Sequence, residues 1–293
     1  MTTKLLIASF IFASVLSSCS SNDEPSQSVI PSDSFEVPFD MTIKYDGITY
    51  NVKAMLEGDS LIYLDEEFSN IYNTEIKNIP NKAVLTYKDD NNNDVVEYYT
   101  TEKQMFKAKG MSFFGTKIQE PTLSRGGESN PVAANCVGRA CLYDDKTFKD
   151  RDVTLDITQN LMCVIPDLKV YANFNDKTSS IRVFNFLKPN NYYTPLDPTQ
   201  IKDPETQAEK GYLLRTCLIG YENTNYGGSK LFCVSREAKD IDLSLSLEEM
   251  KKVYHCDWRL SKIGWNDKIS SVVFRIVRVE DVNGTIIVPH PSF

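Results

Sequence analysis

Two short stretches carry oxygen-rich side chains at a repeated spacing. They are Phe174-Asn175-Asp176-Lys177-Thr178-Ser179-Ser180 and Trp265-Asn266-Asp267-Lys268-Ile269-Ser270-Ser271. Each runs aromatic, Asn, Asp, Lys, one variable residue and Ser-Ser. Each leads into a strand-like run, Ile181 to Phe186 and Val272 to Val279. Two amide or acidic oxygens, a short turn and a hydroxyl within six residues suit a hard cation that takes oxygen ligands. The same residue types also make ordinary polar turns, because Asn, Asp and Ser bond nearby backbone. Recurrence at matching positions of two longer, similar units favours the cation.

The rest of the composition narrows the chemistry. The chain has 293 residues, 41% hydrophobic and 25% charged, enough for two cores. Its net charge of −8 would repel a phosphate backbone, so no nucleic-acid partner is expected. Only two histidines are present, His255 and His290, which excludes a His-rich zinc site. There is no Gly-rich phosphate loop and no nucleophile elbow. Cys136 and Cys141 lack a nearby His and read as disulfide material rather than zinc ligands. No enzyme is expected.

The first residues set the compartment. A short basic start, Met1 to Lys4, precedes an apolar run, Leu5 to Leu16, too short to span a bilayer permanently. It ends in Val15-Leu16-Ser17-Ser18-Cys19, which resembles a bacterial lipoprotein cleavage box. The resemblance implies a signal peptide over 1–18, lipidation at Cys19 and a membrane partner through that anchor. Residues 19–34 are rich in Ser, Pro and acids and read as a flexible tether. The acidic run behind Cys19 looks like the surface-export signal of Bacteroides-group lipoproteins. That points to the outer membrane and its outer face; the periplasmic face is the alternative. The remaining six cysteines, an even number in an oxidising compartment, predict disulfides. A hairpin over 217–233 turning near Asn225 would set Cys217 opposite Cys233.

Residues 35–120 read as a small α+β domain. Met41 to Tyr45 and Ile48 to Ala54 alternate around Asp46-Gly47, a strong hairpin signal. Leu61 to Leu64 is a short strand. Asp65 caps a helix expected to reach Ile79, stopped by Pro80. Two strands, Ala83 to Tyr87 and Val95 to Tyr99, flank a turn at Asp89 to Asp94, and a helix covers Thr101 to Lys109. Asp59-Ser60-Leu61 resembles an O-glycosylation triplet, a weak match. Residues 121–134, with Arg125-Gly126-Gly127 and Asn130-Pro131, read as a linker to a second domain over 135–293.

Upstream of each Asn-Asp-Lys lies a second repeated pattern. In one copy it is Tyr221-Glu222-Asn223-Thr224-Asn225-Tyr226-Gly227-Gly228. In the other, Tyr143-Asp144 is followed by Phe148 and Asp150. With Asn266 to Ser271, the former resembles the βγ-crystallin family, whose motif carries Tyr-Glu-x-x-x-(Phe/Tyr)-x-Gly and, in calcium-binding members, (Asn/Asp)-(Asn/Asp)-x-x-(Ser/Thr)-Ser. The resemblance covers Cys141 to Val279, under half of the chain. It implies a mainly β fold, a Greek-key β-sandwich behind the small α+β domain, and two calcium sites shared between motifs. In one, the Lys177 carbonyl and Ser179 hydroxyl would join Asp267 and a carbonyl of the Tyr221-Glu222 hairpin. In the other, the Lys268 carbonyl and Ser270 hydroxyl would join Asp176 and a carbonyl near Asp144. Such sites hold few carboxylates, so affinities on the order of 10⁻⁶ to 10⁻³ M are expected. The chain departs from the family in placing Asp150 where the hairpin takes Gly, and in an insertion over 187–215. It also has a longer second unit, whose excess reads as a helix over 246–252. A tail hairpin is expected around Asn283-Gly284.

The expected function is a calcium-binding surface lipoprotein serving adhesion, host interaction or envelope stabilisation, with a protein or glycan partner undefined. The alternative is a protease inhibitor acting through the 187–215 insertion.

Overall fold

A computed structural model describes residues 37–89, 91, 93–114, 117–119, 136–149, 152–158, 161–186, 213–235 and 255–279. Cys19 with its leader and tether, the linker at 121–134, Asp150, most of the 187–215 insertion, the 246–252 helix and the tail hairpin lie outside the described residues.

The fold is mainly β. The first strands are β1 (Phe39–Tyr45), β2 (Ile48–Glu57) and β3 (Ser60–Tyr63). Asp46 and Gly47 join β1 to β2 with φ of 50° and 79°, the paired positive φ that a tight hairpin turn requires. Helix α1 (Glu66–Ile71) follows, with the Asp65 carboxylate accepting from Phe68 N at 2.8 Å. It is shorter than the sequence predicts: from Tyr72 to Ile76 the coil widens to a π-helix. There Asn73 and Thr74 bond back to the carbonyls of Ser69 and Asn70, side-chain competition that loosens a helix. Then come β4 (Ala83–Lys88), β5 (Asp94–Tyr99) and α2 (Glu102–Lys109), capped by Thr101 and ended by left-handed Gly110. Short strands β6 (Ser112–Phe114) and β7 (Lys117–Gln119) close this part.

The later residues form two similar runs. The first is β8 (Cys136–Tyr143), β9 (Asp152–Thr158), β10 (Leu161–Ile165), helix α3 (Leu168–Ala172) and β11 (Ser180–Asn185). The second is β12 (Leu213–Tyr221), β13 (Lys230–Val234), β14 (His255–Arg259) and β15 (Ser271–Val279). One sheet has the order β14-β11-β8-β9. The other runs β3-β2-β1-β5-β4-β13-β12-β15-β10-β7, with β6 also on β15. Each run therefore lends its third strand to its twin: β10 pairs β15, and β14 pairs β11. The large sheet is also continuous through the parallel pairing of β4 with β13. Strands on either side of the 121–134 stretch thus share hydrogen bonds, and residues 35–293 form one compact unit.

Alternation along β12 and β13 separates two cores. Leu218, Leu231 and Cys233 face the core that also holds Trp258, Phe274 and Ile43. Cys217, Ile219, Phe232 and Val234 face the opposite core, with Met105 of α2. This corrects the disulfide expectation. The hairpin forms, but Cys217 pairs with Val234 and Leu218 with Cys233. A one-residue offset puts the two thiols on opposite faces of the sheet, where no bridge can form. None of the six described cysteines is joined in a disulfide. Burial pushes the Cys141 thiol up to about 12 and the Cys136 thiol to about 11, so these side chains behave as small apolar groups.

Candidate functional site

The twin loops sit where the two runs meet. Phe174 and Trp265 are buried and pin the start of each loop; Thr178 and Ile269 are buried in its middle. Between them Asp176 and Asp267 take left-handed φ of 50° and 52°, a conformation Asp adopts at small cost. That reversal turns each Asp toward the other loop. The Ser179 hydroxyl donates to Asp267 Oδ1 at 3.0 Å, and the Ser270 hydroxyl donates to Asp176 Oδ1 at 3.1 Å. The residues in each pair are 88 and 94 positions apart in the chain.

Backbone bonds lock both loops in matching ways. Ser179 N donates to Tyr143 O at 2.9 Å, and Ser270 N to Tyr221 O at 2.9 Å. The second serine of each pair turns to the hairpin backbone: Ser180 Oγ donates to Asp145 O and Ser271 Oγ to Asn223 O. Each hairpin holds its second aromatic at positive φ, Phe148 at 60° and Tyr226 at 61°. These rings meet Tyr143 and Tyr221 edge-on, with centroids 5.8 and 5.4 Å apart. Gly228 has φ of 77°, and a Cβ there would sit 2.8 Å from the Asn223 amide.

The partners of each site differ in one respect from the sequence expectation. Asp267 meets Ser179, and Asp176 meets Ser270, as expected across the two loops. The hairpins are exchanged. Ser270 Oγ contacts Glu222 O at 2.9 Å, and Ser179 is bonded to the Tyr143 end of the other hairpin, next to Asp144. Each serine takes its carbonyls from its own run and its carboxylate from the twin. The reason is chain geometry: β11 pairs β8 and β15 pairs β12, so each loop enters its strand beside its own hairpin.

Asn175 and Asn266 each donate to the Asp that follows. Their Oδ1 atoms are buried without a hydrogen-bond partner. Two orphaned carbonyl oxygens in equivalent places, beside carboxylates and hydroxyls, fit an oxygen-seeking cation. Lys177 is half-buried, while Lys268 is exposed and its ammonium donates to Gly264 O at 2.7 Å. Among the described residues no three His, Cys, Asp or Glu side chains converge as a metal cluster. The gathered set is instead carboxylate, hydroxyl, amide oxygen and backbone carbonyl.

Two residues near the loops, Asp59 and Lys82, are not placed there by any motif. Burial lifts the Asp267 carboxyl above its ordinary value; the Ser179 hydroxyl opposes this, Asp59 and Asp144 add to it, and Lys146 offsets it. Asp59, in the β2–β3 turn, is ion-paired with Lys146. At the other loop, burial lowers the Lys82 ammonium, Glu222 opposes the shift and Lys268 adds to it. No local pattern places Asp59 or Lys82 at the loops: Asp59 arrives through its ion pair with Lys146, and Lys82 through the pairing of β4 with β13.

No protein-family model, curated protein or solved structure matches this chain.

Proposed function

We propose that the chain is a calcium-binding, non-enzymatic lipoprotein of the cell surface, and that residues 136–279 build a βγ-crystallin-like Greek-key sandwich. The exchange of third strands between two four-strand runs supports the sandwich. The reciprocal Ser179–Asp267 and Ser270–Asp176 pairs carry the functional reading. Each brings a hydroxyl and a carboxylate from different runs to one place, with a hairpin carbonyl and an amide oxygen close by. A bound ion would supply positive charge that ties the two runs together; Ser179, Ser270, Asp176, Asp267, Asn175 and Asn266 are the side chains to hold it. The Lys177, Lys268, Asp144 and Glu222 contributions are through the backbone. Filling such sites stabilises the folded form by mass action, by about 2.7 kcal/mol at 100 times the dissociation constant. The Cys19 anchor would place this module at the outer membrane, in surroundings where calcium is abundant.

Calorimetric titration and melting curves with and without calcium test the reading. Binding heat with a rise in melting temperature, both lost in Asp176→Ala with Asp267→Ala, supports it. No heat and no shift in the unaltered protein removes it.

A further inference from the structure

The two loops are near-copies of each other, but the segment before them touches them differently. At the Ser179–Asp267 pair, the β2–β3 turn brings Asp59 against Lys146. Lys146 lies two residues past Asp144, in the hairpin whose Tyr143 and Asp145 carbonyls accept from Ser179 N and Ser180 Oγ. At the Ser270–Asp176 pair, the same segment brings Lys82. Lys230 N donates to Lys82 O at 2.9 Å, which fixes Lys82 beside β13 as the Glu222 hairpin closes. The Lys82 ammonium donates to Lys77 O at 2.9 Å and stays within the field of Glu222 and Lys268.

We propose that the N-terminal segment biases the two cation sites in opposite directions: Asp59 strengthens the Ser179–Asp267 site, and Lys82 weakens the Ser270–Asp176 site. This rests on the calcium reading above. Asp59 is not placed as a ligand. It acts through Lys146, whose ammonium would otherwise answer Asp144 and Asp267; paired with Asp59, that ammonium is neutralised and the two carboxylates stay available to a divalent ion. Lys82 does the reverse. It adds a positive charge beside Glu222, where Lys268 already stands, and an arriving divalent ion meets repulsion. Both are field effects across a partly exposed surface, so each is worth a modest factor and each fades with salt. The first site then fills at lower calcium than the second.

The test is calcium titration calorimetry on the full chain, its Asp59→Asn and Lys82→Met variants, and the same two changes in an Asp267→Ala background. The unaltered protein should bind two ions with unequal affinity. Asp59→Asn should weaken the tighter class about fivefold, and Lys82→Met should tighten the weaker class about threefold. Both effects should shrink toward nothing in about 1 M salt, where the screening length falls to about 3 Å. A merely structural role would not follow salt in that way. In the Asp267→Ala background the tighter class should vanish and take the Asp59 effect with it. Equal affinities in the unaltered protein overturn the proposal, as do unchanged affinities in both variants; either result leaves the calcium reading standing. No calcium heat at all in the unaltered protein overturns both.

Discussion

Glu97 on β5 and the loop residues Asp176 and Asp267 are all carboxylates set among hydroxyls, yet only Glu97 is sealed by its own chain. Glu97 is fully buried. Lys109 approaches it at 2.8 Å, Lys44 at 3.4 Å, the Tyr87 hydroxyl at 2.7 Å and the Tyr99 hydroxyl at 2.5 Å. Burial opposes its charge, but Lys109 with the two tyrosine hydroxyls outweighs burial and holds the carboxyl below its ordinary value. Among the described residues no ammonium forms an ion pair with the loop carboxylates; each meets a serine and an asparagine amide, with an amide oxygen left orphaned beside it. A buried charge such as Glu97 must be matched with opposite charge and hydrogen bonds, whereas Asp176 and Asp267 are exposed and keep contact with water. In the first place the protein supplies the match; in the second it leaves room for one from outside.

The largest expected effect breaks the sealed place. Glu97→Gln strands the buried Lys109 ammonium and should cost about 3–5 kcal/mol of unfolding free energy, read from denaturant midpoints. The loss should be the same with and without calcium. The same carboxylate sets an acid limit. Its folded pKa lies below the unfolded value, so its contribution is complete above the ordinary glutamate value of 4.5 and is lost as pH falls through the folded pKa. A melting series from pH 7 downward should therefore fall more steeply below about 4.5 in the unaltered protein than in Glu97→Gln.

The open place should behave in the opposite way. Asp176→Ala with Asp267→Ala should lower the calcium-free melting point less than Glu97→Gln does, because each Asp is exposed and accepts only a serine and an asparagine hydrogen bond, each worth about 1 kcal/mol or less. What should disappear is the calcium-induced gain, about 2–3 kcal/mol at saturating ion. If the double variant instead loses as much stability without calcium as with it, the loops are as self-sufficient as the Glu97 cluster and the contrast fails.

Much of this was legible in the sequence, for reasons that differ by element. The Asp46-Gly47 turn demands backbone that few residues accept, so the β1–β2 hairpin could be placed to within a few residues. The Asp65 cap gave the start of α1, but not its π-helical second half, which depends on Asn73 and Thr74 choosing backbone over solvent. The pairing of each loop serine with the twin's Asp was implied by the crystallin resemblance of the two loops. The hairpin assignment did not, because it depends on which strand lies beside which. The cysteines show the same limit: the β12–β13 hairpin was readable, but its register differs by one residue from the one that would bridge it. The placing of Asp59 and Lys82 beside the loops was not legible, since no pattern within a segment records which distant part of the chain will fold against it.

A smaller effect separates anchoring from ion binding within the loops. Ser180→Ala and Ser271→Ala each remove a hydroxyl that donates to a hairpin carbonyl in a buried setting, Asp145 O and Asn223 O. Each should lower stability by about 1–2 kcal/mol in the presence or absence of calcium. Ser179→Ala and Ser270→Ala should instead act mainly on calcium affinity.

The smallest expected effect is none. Were the loops braced by a covalent link between Cys217 and Cys233, their order without an ion would come from that staple rather than from the two serine–carboxylate pairs. The register forbids the link: the two thiols face different cores, one beside Met105 and the other beside Trp258. A reductant added to the full chain should therefore leave the melting temperature unchanged, and calcium should still raise it by the same amount. A disulfide across a loop of this length would contribute about 3 kcal/mol, so its reduction would lower the melting point by several degrees. A shift of that size, with mass spectrometry placing the bond between Cys217 and Cys233, would mean that β12 and β13 pair one residue away from Leu218 opposite Cys233. The Glu222 carbonyl would then no longer lie beneath Ser270, and the difference between a place sealed by the protein and a place left open would have to be drawn elsewhere.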